Sequence, residues 1–209
     1  MSDAAGSPVA EPFEDLEQER AARRLGMWVF LATEVLFFGG LFTGYAVYRA
    51  GHPAAFAEAS RRLDVLLGAL NTSVLLTSSF TMATAVRLAR EGSGRRARAW
   101  LALTAALGAA FLAVKGFEYA EKFRERLVPG ASFGVEGPHA PAERIFFSFY
   151  FVMTGLHALH MLVGLGVVAA VARRLRDDGP VELAGLYWHF VDVVWIYLFP
   201  LLYLVSRHA

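Results

Sequence analysis

The chain has 209 residues, 56% hydrophobic and 19% charged, with a mean hydropathy of +0.43. An apolar share above that of ordinary soluble domains points to a polytopic membrane protein. A formal net charge of +1 offers no strongly basic face for nucleic acid, and the lack of cysteine excludes disulfides, thiolate metal sites and cysteine nucleophiles on this chain.

Residues 1–24 read as a polar N-terminal tail, acidic at Glu11, Glu14, Asp15, Glu17 and Glu19, that ends in a short polar helix. The tail holds no apolar stretch, so no cleaved signal peptide is expected. Residues 25–209 form the membrane domain. A spanning helix needs roughly 20 mainly apolar residues, and five segments supply them: 25–48, 65–86, 99–120, 145–171 and 183–205. The expected fold is an all-α bundle of five transmembrane helices.

Span one carries Glu34 among aromatic residues, with no basic residue within a turn. The acid therefore reads either as proton-handling or lipid-contacting, or as a neutral carboxyl bonded to an adjacent helix; both predict reaction with a hydrophobic carbodiimide. Gly40 and Gly44 form a small-xxx-small pair that allows close helix approach. The stretch 49–64 reads as a joining segment. Span three places Lys115 and Glu118 one turn apart, with Lys122 continuing the face, as an intrahelical ion pair near the interface would. In the following stretch, 121–144, Pro129, Gly130, Gly137, Pro138 and Pro141 argue against regular structure. Span four carries His157 and His160, whose i, i+3 spacing puts both imidazoles on one face, while Gly164 and Gly166 thin a contact face. Arg173 and Arg174 follow it, either as surface anchors or as a clamp for an anionic lipid headgroup. Span five holds His189 and Asp192 one turn apart in an apolar run, and an intramembrane carboxylate marks a functional or assembly site. Trp28, Tyr45, Tyr48, Trp100, Tyr119 and Tyr203 near the span ends read as interfacial anchors.

Loop charges orient the bundle. With a cytoplasmic N-terminus, that side holds Arg20, Arg23, Arg24, Arg87, Arg90, Arg95, Arg96, Arg98, Arg173, Arg174 and Arg176. The other side holds Arg49, Arg61, Arg62, Lys122, Arg124, Arg126, Arg144 and Arg207. The asymmetry predicts N-in and C-out, with the C-terminus periplasmic. At about 1.5 Å per residue, Glu34, His160, His189 and Asp192 fall in one layer of the inner half of the membrane, with His157 slightly above. Lys115 and Glu118 fall towards the outer end of span three.

The three histidines raise metal or haem ligation as an alternative to bonds with neighbouring helices or lipid. No nucleophile elbow, zinc-protease helix, phosphate loop or dinucleotide fingerprint occurs, and no internal repeat suggests a transporter of duplicated halves. The residues thus describe a five-helix membrane protein with buried acids and histidines and no self-sufficient active site.

Four motifs resemble one family. Leu25-Gly26-Met27-Trp28 runs on to Glu34; then follow Phe117-Glu118-Tyr119, Gly155-Leu156-His157-Ala158-Leu159-His160 and Tyr187-Trp188-His189-Phe190-Val191-Asp192-Val193-Val194-Trp195. In content and order they are similar to subunit III of the haem–copper oxidases, the cytochrome c oxidase subunit III family. The resemblance implies a non-catalytic core subunit in a bacterial inner membrane, with no cofactor of its own. Haem and copper would lie in partner subunits I and II, and this chain would pack on subunit I, bind phospholipid and sustain proton uptake. It implies that Glu34 matches a lipid-facing acid, His157 and His160 a histidine pair, and Arg173 or Arg174 a headgroup arginine. Many members have seven spans, so with five the lipid cleft would be open or closed by another subunit. Ala158 stands where glycine is usual and Lys115 where glutamine is frequent. Alternatives are subunit III of a quinol oxidase, a nitric oxide reductase accessory subunit, or a stand-alone proton or cation carrier using Glu34, the histidines and Asp192.

Overall fold

The computed structural model describes residues 15–175 and 179–204, apart from the side chain of Leu16. Residues 1–14 of the tail, and Arg176 and Arg207 of the orientation argument, lie outside these. Among the described residues there are six helices and no strand: α1 (Leu16–Gly51), α2 (Pro53–Arg61), α3 (Val65–Arg90), α4 (Gly94–Arg124), α5 (Ala140–Arg173) and α6 (Gly179–Tyr203). Five of them, all but α2, are long and apolar enough to cross a membrane.

The helices overrun the expected spans for local reasons. Asp15 caps α1 by accepting from the Gln18 amide at 2.7 Å, so the polar segment after it continues directly into span one. At 36 residues α1 is about 54 Å long, well beyond the hydrocarbon thickness. Pro141 begins α5 instead of breaking structure, because it sits in the first turn, where its missing N–H has no intrahelical partner to lose. Helix α2 forms inside the stretch read as a joining segment. Pro53 opens it, and Ala55, Phe56, Ala57, Ala59 and Ser60 are buried.

Helices α3, α4, α5 and α6 form a ring in that order, each neighbouring the next, with α6 closing on α3. Helix α1 lies outside the ring against α5 and α6, and α2 packs over α5, α6 and α1. The core is aromatic: Trp188, Trp195, Tyr150, Tyr203, Phe111, Phe146 and Phe147 are fully enclosed. Trp188 lies in a notch between two glycines. A Cβ on Gly108 would stand 2.7 Å from its Cη2, and one on Gly164 3.2 Å from its Cε3.

Several packing expectations are corrected here. A Cβ added at Gly40 or Gly166 would meet nothing within 4 Å, so neither glycine makes a close contact with another helix of this chain, whereas one at Gly44 would meet Phe149 at 3.4 Å. Tyr45 and Tyr203 are not interfacial anchors but buried core residues. Tyr45 donates to the Leu201 carbonyl at 2.5 Å, and Ser60 to the Leu202 carbonyl at 2.8 Å. These are among the last carbonyls of α6, which lack intrahelical partners; α1 and α2 therefore cap a helix distant in sequence. Charged contacts fasten both ends. At the end where α1 begins, Glu182 at the start of α6 bonds Arg24 of α1 at 3.1 Å and also Arg90 of α3. At the far end Lys122 donates to the Arg62 carbonyl at 2.7 Å, and Arg62 pairs with Glu143 of α5 at 3.2 Å.

Candidate functional site: an acid–imidazole pair beside a polar core

Helix α1 buries only a narrow seam. Leu31, Phe38 and Tyr45, seven residues apart, are enclosed, and Met27 and Leu41 pack partly against the same core. Glu34 falls on this seam, one turn after Leu31 and one turn before Phe38. It therefore faces α5, where its Oε2 lies 3.1 Å from Nε2 of His160. The two side chains keep 19% and 16% of their exposure, so the pair lies at the margin of the bundle, neither sealed nor open.

Hydrogen-bond bookkeeping limits the protons here. His160 Nδ1 stands 2.8 Å from the Leu156 carbonyl one turn back. A carbonyl can only accept, so Nδ1 carries hydrogen. Nε2 then needs one further proton shared with Glu34: either a carboxylic acid donates to neutral imidazole, or an imidazolium donates to carboxylate. The pair holds one mobile proton in both cases. Phe38 of α1 meets the imidazole edge-on at 5.4 Å, and Tyr187 of α6 donates to the His160 carbonyl at 3.0 Å. Three helices thus converge on the pair.

The two histidines of α5 do not act together. His157 is fully buried between the rings of Phe111, at 5.4 Å, and Trp195, at 5.3 Å. Residues three apart on a helix differ by about 60° in direction, enough to send His157 inwards and His160 to α1. His189 and Asp192 do not pair either. His189 Nδ1 meets Ser79 Oγ of α3 at 2.7 Å. Ser79 is also a polar neighbour of Asp192, but neither carboxyl oxygen of Asp192 completes a hydrogen bond. The expected four-residue layer therefore resolves into a Glu34–His160 pair on one side and a His189–Ser79 contact on the other. Arg173 and Arg174 are exposed at the end of α5, roughly 20 Å along the helix from His160, so the structure does not bring them to the pair.

Lys115 and Glu118 form the expected ion pair, at 3.0 Å, and it is buried within the bundle. Lys115 Nζ also donates to Tyr150 at 3.2 Å and Tyr203 at 2.9 Å. Both phenols donate in turn to Glu118 Oε1, at 2.9 and 2.5 Å. All three ammonium hydrogens and both carboxylate oxygens are thereby used, with the cation 5.3 Å from the Trp195 ring centre as well. Sequence reasoning misses these tyrosines because a single phenol carries no periodic signal. The seam position of Glu34 is available from sequence, since Met27, Leu31, Glu34, Phe38, Leu41 and Tyr45 alternate in steps of four and three.

The three histidines take separate environments. His160 has both nitrogens engaged, His189 is turned to a serine, and His157 is walled in by aromatic rings. Among the described residues no group of three or more His, Cys, Asp or Glu is placed to hold a metal ion.

The family model for cytochrome c oxidase subunit III matches residues 17–207. The chain belongs to this family. It is 37% identical to cytochrome c oxidase subunit 3 of Synechocystis, over 88% of this chain and 76% of that protein. It is 35% identical to the subunit of the same name from Thermostichus vulcanus, over 88% of each chain. It is also 31% identical to quinol oxidase subunit 3 of Bacillus spizizenii, over 93% of each. The protein is thus a multi-pass membrane subunit III of a haem–copper oxidase, part of an oxygen-reducing complex with other oxidase subunits.

Proposed function

We propose that this subunit III serves a bacterial proton-pumping terminal oxidase that carries electrons from cytochrome c to oxygen, in the inner membrane with its N-terminus cytoplasmic. It holds subunit I in its working form, binds phospholipid and sustains proton uptake, while haem and copper reside in the partner subunits. The observation that carries this reading is the Glu34–His160 pair, 3.1 Å apart and partly exposed. A one-proton pair at the edge of an apolar surface suits contact with lipid and slow proton exchange, and it lacks the substrate-binding groups a catalytic centre needs. The excess of arginine at the end where α1 begins supports the orientation. Arg173 and Arg174, exposed at that end, would meet lipid headgroups independently of the pair.

The test is purification by a tag on this chain. The haem-containing partner should co-purify, and the complex should consume oxygen with reduced cytochrome c. Isolation without a haem protein would overturn the reading.

A second reading, subunit III of a quinol oxidase, has specific support in the Bacillus relative, which matches over a larger share of both chains. Oxygen uptake driven by quinol and not by cytochrome c would select it. The relatives named above are oxidase subunits, which favours either reading over a nitric oxide reductase accessory subunit or a stand-alone carrier.

A further inference from the structure

Five buried side-chain polar atoms have no hydrogen-bond partner among the described residues: Asn71 Oδ1, both ring nitrogens of His157 and both carboxyl oxygens of Asp192. Their residues retain 0%, 1% and 3% of their exposure, and they project from three different helices, α3, α5 and α6. They share neighbours. Asn71 Nδ2 approaches the Phe111 carbonyl at 3.5 Å, and the Phe111 ring packs on His157. Trp195 packs on both Phe111 and His157, stands one turn from Asp192 on α6, and bonds Thr72, the residue after Asn71.

The surrounding polar groups are already engaged. On one side the Lys115–Glu118–Tyr150–Tyr203 network is closed on itself. On the other, Ser78 accepts from Trp188 and donates to the Thr104 carbonyl, while Thr81 meets Thr104. Ser79 makes its short bond to His189 and neighbours Asp192 without completing a hydrogen bond to it. An isolated buried donor or acceptor is costly, and buried polar groups in folded proteins are almost always satisfied. No described side chain completes these bonds, and a small partner from outside the chain would. It must both donate, to Asn71 and Asp192, and accept, from the protonated nitrogen of His157, and it must be small enough for the core of a four-helix ring. An anion is opposed by Asp192, and among the described residues no group of three or more His, Cys, Asp or Glu is placed to hold a metal ion. Water meets every condition.

We propose that water molecules are bound inside the α3–α6 ring, held by Asn71, His157 and Asp192, between the closed ion-pair network and the Ser78–Thr81–Thr104 hydroxyl cluster. The site belongs to this chain alone and does not depend on which electron donor feeds the complex.

Synchrotron hydroxyl-radical footprinting of the purified oxidase tests this, because radiolysis of a held water oxidises side chains beside it even where bulk solvent cannot reach. Trp195, fully buried, should be oxidised in the wild-type complex. Asp192→Leu should lower Trp195 oxidation several-fold and leave Trp28 unchanged, whereas Asp192→Asn, which keeps polar atoms, should preserve it. If Asp192→Leu does not assemble, the wild-type and Asp192→Asn complexes still decide. Trp195 left unoxidised in the wild type, or equally oxidised in an assembled Asp192→Leu complex, would overturn the proposal.

Discussion

Glu34 Oε2 and His160 Nε2 lie 3.1 Å apart across α1 and α5, although 126 residues separate them in the chain. With His160 Nδ1 held by the Leu156 carbonyl, the pair shares one proton. Replacing Glu34 by Gln supplies an amide that still donates to Nε2. Initial oxygen turnover of the complex should stay within about twofold of wild type, since loss of at most one neutral hydrogen bond is small. Labelling by a hydrophobic carbodiimide should disappear from this chain. Immediate loss of electron transfer would contradict the assignment.

The Lys115–Glu118 network is satisfied as a unit, so it should fail as a unit. Lys115→Met leaves a buried carboxylate with only two phenols, and Glu118→Leu leaves a buried ammonium. Each should destabilise the subunit by about 3–5 kcal/mol. The double substitution removes both charges and should cost less than either alone. A double-mutant cycle on thermal unfolding of the solubilised complex measures this; additive losses would show that the two charges act separately.

Gly108 lies against the Trp188 indole with no room for a methyl group. Gly108→Ala should overpack the notch and cost about 1–3 kcal/mol. Gly166→Ala, at a position with open space, should be neutral or slightly stabilising through helix propensity. Thermal stability of the two variants side by side distinguishes a packing role from mere helix flexibility.

Tyr45 and Ser60 end α6 by bonding the carbonyls of Leu201 and Leu202. Tyr45→Phe and Ser60→Ala should each cost about 1 kcal/mol, felt first as fraying at the end of α6. Faster amide exchange over the last turn of α6, with the centre of the helix unchanged, is the expected signature.

Much of the fold is legible in the sequence because each spanning helix announces itself by continuous apolar length. Boundaries are less so. Asp15 capping α1, Pro141 opening α5 and the burial of α2 depend on contacts that periodicity does not encode. Among the polar residues, pairing within one helix follows from spacing: Lys115 and Glu118 are joined as their positions imply. Pairing across helices does not. His189 and Asp192 share a turn, yet His189 bonds Ser79 instead, because α3 presents a hydroxyl on that side.

Sequence alone determined that this chain carries five segments long and apolar enough to cross a membrane, that ionisable groups lie inside them, and which family those groups belong to. Apolar length and local motif suffice for this, since both are properties of contiguous residues. Tertiary structure decided which partners those groups take. Glu34 meets His160, Tyr150 and Tyr203 close the Lys115–Glu118 network, and His157, Asn71 and Asp192 are left facing one another's neighbours. In a low-dielectric interior each polar atom must be satisfied by whatever the adjacent helix brings to its height, and only the packing order α3, α4, α5, α6 with α1 outside fixes that neighbour.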